Sequence, residues 1–470
     1  MKEDRPVAKS FDVIVVGGGP AGYVCAIRCA QLGLSTALIE RDKLGGVCVN
    51  VGCIPSKALL HSASLARTIQ HDAKRLGILV GEVTLDFGAA VKHSRQVSEQ
   101  NAKGVEFLMQ KNKITVVTGT ASLQPAKQVK VGNDTYAATK AVILATGTRV
   151  KGIPQIGLEI NETTVISTDE ALFLNSAPQS MVIVGAGAVG MEFADVFNAF
   201  GTNVTVIEMF PRLLPIEDAE SSDALAKTFK KRKIDTLLGA KIKSATVAPT
   251  SVTLEVEVGD AVRTVQADKV LMAAGRALNV EDLGLDAVGI ELTDGGFVGV
   301  DDRLRTSVDG YYAIGDIAGP PMLAHKGSRE GMYVAELLAG HSPAPIKYDN
   351  IPSVTYCHPE VASVGLTEDQ CKERSLEYAV GRFPFSANGR ARASRETDGF
   401  VKIIRDKQYG EILGAHIVAS HASELIHELV VARENEYTVE ELHLAVHAHP
   451  TLSEAVAEAA LDAMGRAVHT

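Results

Sequence analysis

Residues 11–22 read FDVIVVGGGPAG, and residues 181–190 read MVIVGAGAVG. Each is a short apolar run of strand length that leads straight into glycines spaced G-x-G-x-x-G. The first copy has Gly17, Gly19 and Gly22; the second has Gly185, Gly187 and Gly190. A helical stretch follows each, then a second strand-like run, TALIE ending at Glu40 and VTVIE ending at Glu208. In both copies the acid follows the last glycine by 18 residues. A lone GxGxxG is weak evidence, but strand, glycines, helix, strand and acid in register form a dinucleotide-binding signature. Two copies make chance a poor explanation. The first glycine permits a tight turn, the second lets backbone approach a pyrophosphate, and the third lets helix and strand pack closely. Phosphate charge then sits at a helix N-terminus, where unpaired N–H groups point outward. The terminal glutamate accepts ribose hydroxyls and repels a 2′-phosphate, so each site is expected to take FAD or NAD rather than NADP. A simple tight turn accounts for any one glycine but not for the repeated pattern.

The rest of the composition fits this reading. A chain of 470 residues suggests about three domains. Apolar residues at 46% and charged residues at 22% are ordinary for a soluble globular protein. The formal net charge of -10 argues against a nucleic-acid binder, which needs clustered Lys and Arg. No apolar run approaches the roughly 20 residues of a membrane span, so no integral membrane association is expected. The opening MKEDRPVAKS is polar and is not read as a secretory signal. Six cysteines do not make a secreted disulfide scaffold. A cytoplasmic, reducing location is therefore expected, with an organellar matrix or stroma after transit-peptide removal as the alternative. Any disulfide there should be redox-active.

Between the repeats, residues 60–110 read as helical and 112–145 as strands ending in VILATGT. Residues 241–273 alternate like strands and run into VLMAAGR. VDGYYAIGDIAG (308–319) reads as a strand and a tight Gly315-Asp316 turn. From about residue 350, the strands VASVGL, FVKIIR and ILGAHIV followed by helices suggest an α+β unit. The expected fold class is α/β: two Rossmann-like dinucleotide-binding domains plus a C-terminal α+β domain.

Directly after the first nucleotide unit comes GGVCVNVGCIPSKAL (45–59), with Cys48 and Cys53 in C-x4-C spacing. Zinc knuckles use paired short spacings, and no second matching pair exists, so no metal site is expected. Two idle cysteines at a helix start are the bland alternative. A helix N-terminus stabilises thiolate, and Pro55 suits a first helical turn. If the helix begins near Cys53, Lys57 lies on the same face at i,i+4, and its ammonium favours thiolate. Cys25 and Cys29 also share a helix face, but read as small buried hydrophobes. Neither Cys357 nor Cys371 has an evident redox partner.

These residues resemble the flavoprotein disulfide reductases, and within them the lipoamide-oxidising branch. GGVCVNVGCIPSKAL, ILATGT, YAIGDIAG, MLAHK and HAHPTLSEA stand in that family's order, and the resemblance covers nearly the whole chain. It implies an FAD-binding domain in two parts (1–150 and 277–349), an NAD-binding domain (151–276) and a dimerisation domain (350–470). It assigns the first glycine motif to FAD and the second to NAD. It makes Cys53 the thiol nearest the flavin and Cys48 the thiol that exchanges with substrate. Lys57 would lie near the flavin and pair with Glu192. Gly119 would approach the adenine, Gly147 would turn beside FAD, and Asp316 would bind its ribityl or phosphate region. Ala324 and His325 would flank the ring; Ile242 and Gly275 would touch NAD through backbone. The implied reaction is oxidation of protein-bound dihydrolipoamide with reduction of NAD+. The implied partners are a second copy of the chain in a homodimer and the lipoyl-bearing proteins of 2-oxoacid dehydrogenase or glycine cleavage complexes.

The resemblance also makes His449 the general base, supplied across the dimer, and Glu454 its orienting partner. A base is needed because thiolate, not thiol, attacks a disulfide, and histidine titrates in a suitable range. From the residues alone, Thr451-x-x-Glu454 is equally a capping box, and the two roles need not exclude each other. His447 and His449 could form an H-x-H metal pair, but no third ligand is evident. Related branches fit less well. The glutathione branch carries arginines near the second acid, whereas Glu208-Met209-Phe210-Pro211-Arg212 offers the acid first, which favours NAD. The mercuric branch ends in a cysteine pair, and this chain ends RAVHT. Soluble transhydrogenases lack the paired cysteines. A non-catalytic scaffold role would not need the cysteines and His449 together.

Overall fold

The computed structural model describes residues 9–469. Most of the polar opening, residues 1–8, and the final Thr470 of RAVHT lie outside the described residues. The chain forms two compact units. One comprises the chain up to Ala58, Val91–Lys151 and Arg276–Ile346; the other comprises Leu59–Ala90, Gly152–Gly275 and the chain from Lys347 onward.

The first unit is built on a seven-stranded sheet. Thr115–Thr118, Thr36–Glu40, Lys9–Val16, the end of Asp134–Leu144 and Tyr311–Ala313 run parallel in that order. An antiparallel pair, Gln128–Val131 and Ala121–Gln124, extends the sheet from Asp134–Leu144. Val13, Ile14, Val15 and Val16 are all buried, as a parallel strand covered on both faces requires. Helix Pro20–Gln31 packs on one face with Ala324–Leu338. Cys25 and Cys29 are fully buried in that core, as expected of small hydrophobes.

The second unit contains a parallel five-stranded sheet in the order Asp235–Leu237, Asn203–Ile207, Ser180–Val184, Lys269–Met272, Val165–Ile166. An antiparallel meander of Ala240–Val247, Val252–Val258 and Ala261–Ala267 adjoins it in sequence. A further sheet, antiparallel throughout, runs Ser353–Thr355, Glu360–Gly365, Ile412–Ala419, Phe400–Asp406, Tyr378–Pro384. Helices Ala422–Glu434 and Glu454–Ala463 cover it with an apolar core. This is the α+β unit expected after residue 350.

The expectation of helix over 60–110 needs correction. Helix Cys53–Arg67 passes into a π-turn, Thr68–Asp72, and a 3-10 turn, Ala73–Leu76; residues 77–86 are irregular before helix Phe87–Lys111. Gly77, at φ +81, stops the helical run, and Gly81 with the β-branched Val80 and Val83 follows it.

Candidate redox active site

The two glycine motifs build the same device. Gly17 sits at φ +108, and a Cβ there would lie 2.2 Å from the Ala145 carbonyl oxygen. A Cβ on Gly22 would lie 1.9 Å from the Gly17 carbonyl oxygen, so only glycine lets the helix start this close to the strand. Gly185 and Gly190 repeat this, with clashes of 2.6 Å to Ala273 O and 2.0 Å to Gly185 O. By contrast, a Cβ on Gly19 or Gly187 would meet nothing within 4 Å. The middle glycines, each preceding its helix with no side-chain cap, therefore border open space beside unpaired N–H groups. That is the cradle a pyrophosphate needs.

The acids close each loop. Glu40 Oε2 accepts from Gly18 N–H at 2.6 Å and Oε1 from Asp42 N–H at 2.8 Å. Glu208 does the same with Ala186 N–H (2.7 Å) and Phe210 N–H (2.9 Å). Each carboxylate thus holds its glycine loop as well as offering acceptor sites to a ribose; it has about four lone-pair positions, two of them used.

The first cradle opens into a cavity of about 390 Å³, lined by Gly17, Glu40, Gly119, Thr146, Arg149 and Asn279 among others. Gly119, at φ +148, donates its N–H to Glu40 O at 2.9 Å. Gly147, at φ +66, accepts from Asn279 N–H, while Thr146 and Asn279 bond reciprocally at 2.6 and 2.9 Å. The Arg149 guanidinium beside Glu281 holds that carboxyl down at about 2. Of the residues expected at FAD, Gly17, Glu40 and Gly119 thus line one space, and Gly147 adjoins it through Thr146, which also lines it.

The Gly315-Asp316 turn and the helix that begins at Ala324 meet helix Pro20–Gln31 nearby. A Cβ on Gly315 would touch the Ala21 Cβ at 3.0 Å, and one on Gly327 at 2.9 Å. Thr148 Oγ1 donates to Asp316 Oδ2 at 2.6 Å and accepts from Arg276 Nε at 2.6 Å. Lys326 and Glu330, each 1% exposed, pair at 3.1 Å. Lys326 Nζ also donates to the Gly315 and Gly319 carbonyls at 3.0 and 2.8 Å, and Glu330 accepts from Gly315 N–H at 2.7 Å. This buried ion pair clamps the Asp316 turn to the helix that carries Ala324 and His325.

The cysteine segment lies on the same cradle. Gly45 adopts φ +92 and starts the short helix Gly46–Val51; a Cβ on Gly46 would lie 2.7 Å from the Gly19 Cα. Helix Cys53–Arg67 begins at Cys53 itself, which puts Lys57 one turn on. Cys48 and Cys53 share a thiol hydrogen bond. That bond first, then burial and the Cys53 charge, pushes the Cys48 thiol up, while the Lys57 ammonium works against the rise. Residues that sequence reasoning missed hold the segment in place. Ser98 Oγ donates to Val49 O (2.7 Å), Ser94 Oγ to Pro55 O (2.8 Å), and Arg95 Nη1 to Asn50 O (2.5 Å). Asn50 Nδ2 ties back to the Leu44 and Gly46 carbonyls. The available signal was a pair of serines at i,i+4 on one helix face.

In the second unit, Glu192 follows the second cradle and is buried, accepting from Tyr356 N–H at 3.1 Å. Gly275, at φ +121, ends the loop whose Ala273 and Ala274 backbone abuts Gly185. Ile242 sits at a bulge in the meander strand, two residues beyond Ala240, whose N–H donates to Glu208 O. His449 Nδ1 lies 2.8 Å from Glu454 Oε1, and Thr451 N–H donates to Glu454 Oε2 at 2.7 Å. Glu454 therefore meets both groups named for it, with one oxygen on the histidine and one on the backbone. The box is half-formed, because Thr451 Oγ1 turns to Ala448 O and Ser453 Oγ instead of the helix N–H. Burial raises the Glu454 carboxyl, but Thr451 N–H and His449 more than offset it and hold it below its ordinary value. His449 is mostly exposed, at 80% of its side chain, whereas His447 is tied to Glu428 at 2.7 Å.

Residues 11–331 match the family described as pyridine nucleotide-disulphide oxidoreductase, and residues 351–460 match that family's dimerisation domain. The chain belongs to the pyridine nucleotide-disulphide oxidoreductase family. Proteins named dihydrolipoyl dehydrogenase are similar over the full length. That of Corynebacterium glutamicum is 44% identical, covering 98% of this chain and 100% of its own. That of Rhizobium etli is 43% identical with the same coverage. The mitochondrial protein of Pisum sativum is 41% identical over 97% of this chain and 92% of its own. Among solved structures, LpdA from Mycobacterium tuberculosis superposes with a TM-score of 0.88 at 28% identity, covering 96% of this chain and 99% of that one. The Cu(II) complex of the HOCl-induced flavoprotein disulfide reductase RclA from Escherichia coli gives 0.85 at 25% identity, covering 96% and 99%. Members of the family use FAD and a pyridine nucleotide, which the two cradles fit. No described helix is long and apolar enough to cross a membrane.

Proposed function

We propose that this chain is a dihydrolipoamide dehydrogenase, oxidising dihydrolipoamide to lipoamide while NAD+ is reduced. The observation that carries it is the paired Cys48 and Cys53 on the segment whose Gly46 lies against Gly19 of the first dinucleotide cradle. The full-length likeness to proteins named dihydrolipoyl dehydrogenase supports the choice of dithiol.

In this reading FAD lies on Gly17, Gly19, Gly22 and Glu40, with Gly119, Gly147, Asp316, Ala324, His325 and Lys57 around it. NAD lies on Gly185, Gly187, Gly190 and Glu208, with Ile242 and Gly275 at its edge. The two cofactors supply electron-pair transfer from dithiol to nicotinamide. The protein's part is thiol chemistry. His449, held by Glu454, takes a proton from one substrate thiol. The resulting thiolate attacks Cys48 of the oxidised Cys48–Cys53 pair, forming a mixed disulfide and releasing Cys53 as thiolate. The second substrate thiol displaces Cys48, leaving lipoamide and a reduced cysteine pair. We further propose a homodimer that supplies His449 across the interface, lipoyl-bearing proteins as substrate carriers, and a cytoplasmic location. The division into segments 1–150, 151–276, 277–349 and 350–470 belongs to the same proposal.

Cys48→Ser should purify with flavin bound and lose dihydrolipoamide:NAD+ turnover by at least about a thousandfold, the cost of removing a covalent nucleophile. Turnover near that of the parent would overturn the disulfide mechanism.

A further inference from the structure

The turn that carries His449 is held from behind by a buried amide. Asn388 is 4% exposed and lies between the 3-10 turn Phe385–Ala387 and helix Gly389–Ser394. Its Oδ1 accepts from Ala391 N–H at 2.9 Å, which caps the helix. Its Nδ2 donates to the Thr451 carbonyl at 3.0 Å. The Thr451 N–H donates to Glu454 Oε2, and Glu454 Oε1 meets His449 Nδ1. Asn388, Thr451, Glu454 and His449 thus form one series of hydrogen bonds.

The series matters because the turn has room to move. A cavity of about 330 Å³ opens beside it, lined by Arg390, Ser394, Thr451 and Ser453 among others. The Thr451 hydroxyl is spent on Ala448 and Ser453, so only its peptide N–H reaches the Glu454 carboxylate. His449, largely exposed, takes its aim from Glu454. Loss of the Asn388 donor would free the Thr451 carbonyl and let the peptide rotate toward the cavity, taking its N–H off Glu454. The other end of the Asn388 side chain belongs to a different helix, so the amide ties the base's turn to the residue 389–394 segment.

We infer that Asn388 is a positioning residue for the acid–base pair, acting through the Thr451 peptide; the inference rests on His449 and Glu454 being that pair. Asn388→Asp separates this role from helix capping. Aspartate caps as well as asparagine and keeps the acceptor for Ala391 N–H, but as a carboxylate it has no proton to donate to Thr451. The purified holoenzyme is assayed in two ways: dihydrolipoamide with NAD+, and NADH with a quinone acceptor that needs no thiol deprotonation. Asn388→Asp should lower kcat for dihydrolipoamide about five- to tenfold, the worth of one hydrogen bond, with KM within about twofold. The NADH–quinone rate should stay at the parent value. Asn388→Ser, which also keeps a capping oxygen, should behave alike and serves if the aspartate variant folds poorly. A parent-like kcat in both variants, or a raised KM with kcat unchanged, overturns the inference while leaving the acid–base pair intact. Parent-like turnover in Glu454→Gln overturns the pair and the inference together.

Discussion

At the scale of single residues, the site depends on atoms that are missing as much as on those present. Gly22 and Gly190 each stand where a Cβ would lie about two ångströms from a carbonyl oxygen. Gly22→Ala should therefore deform the first cradle, at a cost of about 1–3 kcal/mol, and purify with substoichiometric flavin. Gly190→Ala should keep its flavin and raise KM for NAD+. Flavin-to-protein ratios and NAD+ saturation curves read the two outcomes, and identical behaviour of the variants would contradict the assignment of one cofactor to each cradle. These glycines, both acids and the cysteine pair were legible in sequence because their chemistry is local and keeps fixed spacing. Asn388, Ser94 and Ser98 were not. Each acts on backbone far along the chain, as Ser98 does on Val49 and Asn388 on Thr451, and the i,i+4 spacing of the two serines marks a shared helix face without naming the backbone it meets.

At the scale of elements, two buried lysines tie parts of each unit together. In the second unit Lys402, 1% exposed, sits on strand Phe400–Asp406 and bonds Asp218 (2.9 Å), Glu220 (2.8 Å) and Glu368 (2.8 Å). Asp218 and Glu220 open helix Ala219–Lys231, and Glu368 opens helix Glu368–Glu373, so one ammonium joins two helix N-termini to the sheet. Burial raises the Glu368 carboxyl, but Lys402 foremost, with hydrogen bonds from Tyr378 and Lys372, outweighs it and brings it to about 2, from an ordinary 4.5. A carboxyl with a depressed folded value gives stability that is present above its unfolded value and is lost as pH falls through the folded one. Lys402→Met should cost about 3–5 kcal/mol at neutral pH, since Asp218 stays buried without its counter-charge. The variant's stability should also fall less between pH 4.5 and about 2 than the parent's. Urea unfolding across that range measures both, and an unchanged acid slope would remove Lys402 as the cause. In the first unit, Lys326→Met with Glu330→Leu replaces an ion pair by apolar volume. The double variant should stay folded, as buried pairs replaced together often do, yet bind FAD at least about tenfold more weakly, because the Gly315–Gly319 turn loses two carbonyl anchors. A parent-like FAD affinity would make the clamp purely structural. Alternating patterns foretold the strands, but the break after Leu76 was missed, because no proline marks it and the apolar residues continue through it.

For the whole molecule, the match of residues 351–460 to a dimerisation domain gives the exposed His449 a context. If His449 acts on the partner's cysteines, inactive Cys48→Ser and His449→Gln chains should complement each other. A mixed dimer would hold one site with both groups intact and one with neither, so random re-pairing restores about a quarter of parental turnover. Failure to recover activity after verified subunit exchange would place the base in its own subunit's site. The order of the nucleotide units was readable from the repeat, and the α+β unit from the change of pattern after residue 350. Which chain donates the histidine was not, since no single sequence encodes a symmetry operator.

The central claim is that Cys48 and Cys53 pass an electron pair from a dithiol to FAD and on to NAD+. An anaerobic titration of the holoenzyme with dihydrolipoamide, followed in the flavin spectrum and completed by addition of NAD+, tests it most directly. Dihydrolipoamide should produce a flavin response that is absent in Cys53→Ser, and NAD+ should then yield NADH. Flavin that ignores dihydrolipoamide but is reduced by NADH would contradict it, keeping the fold and the nucleotide site while discarding this dithiol as substrate.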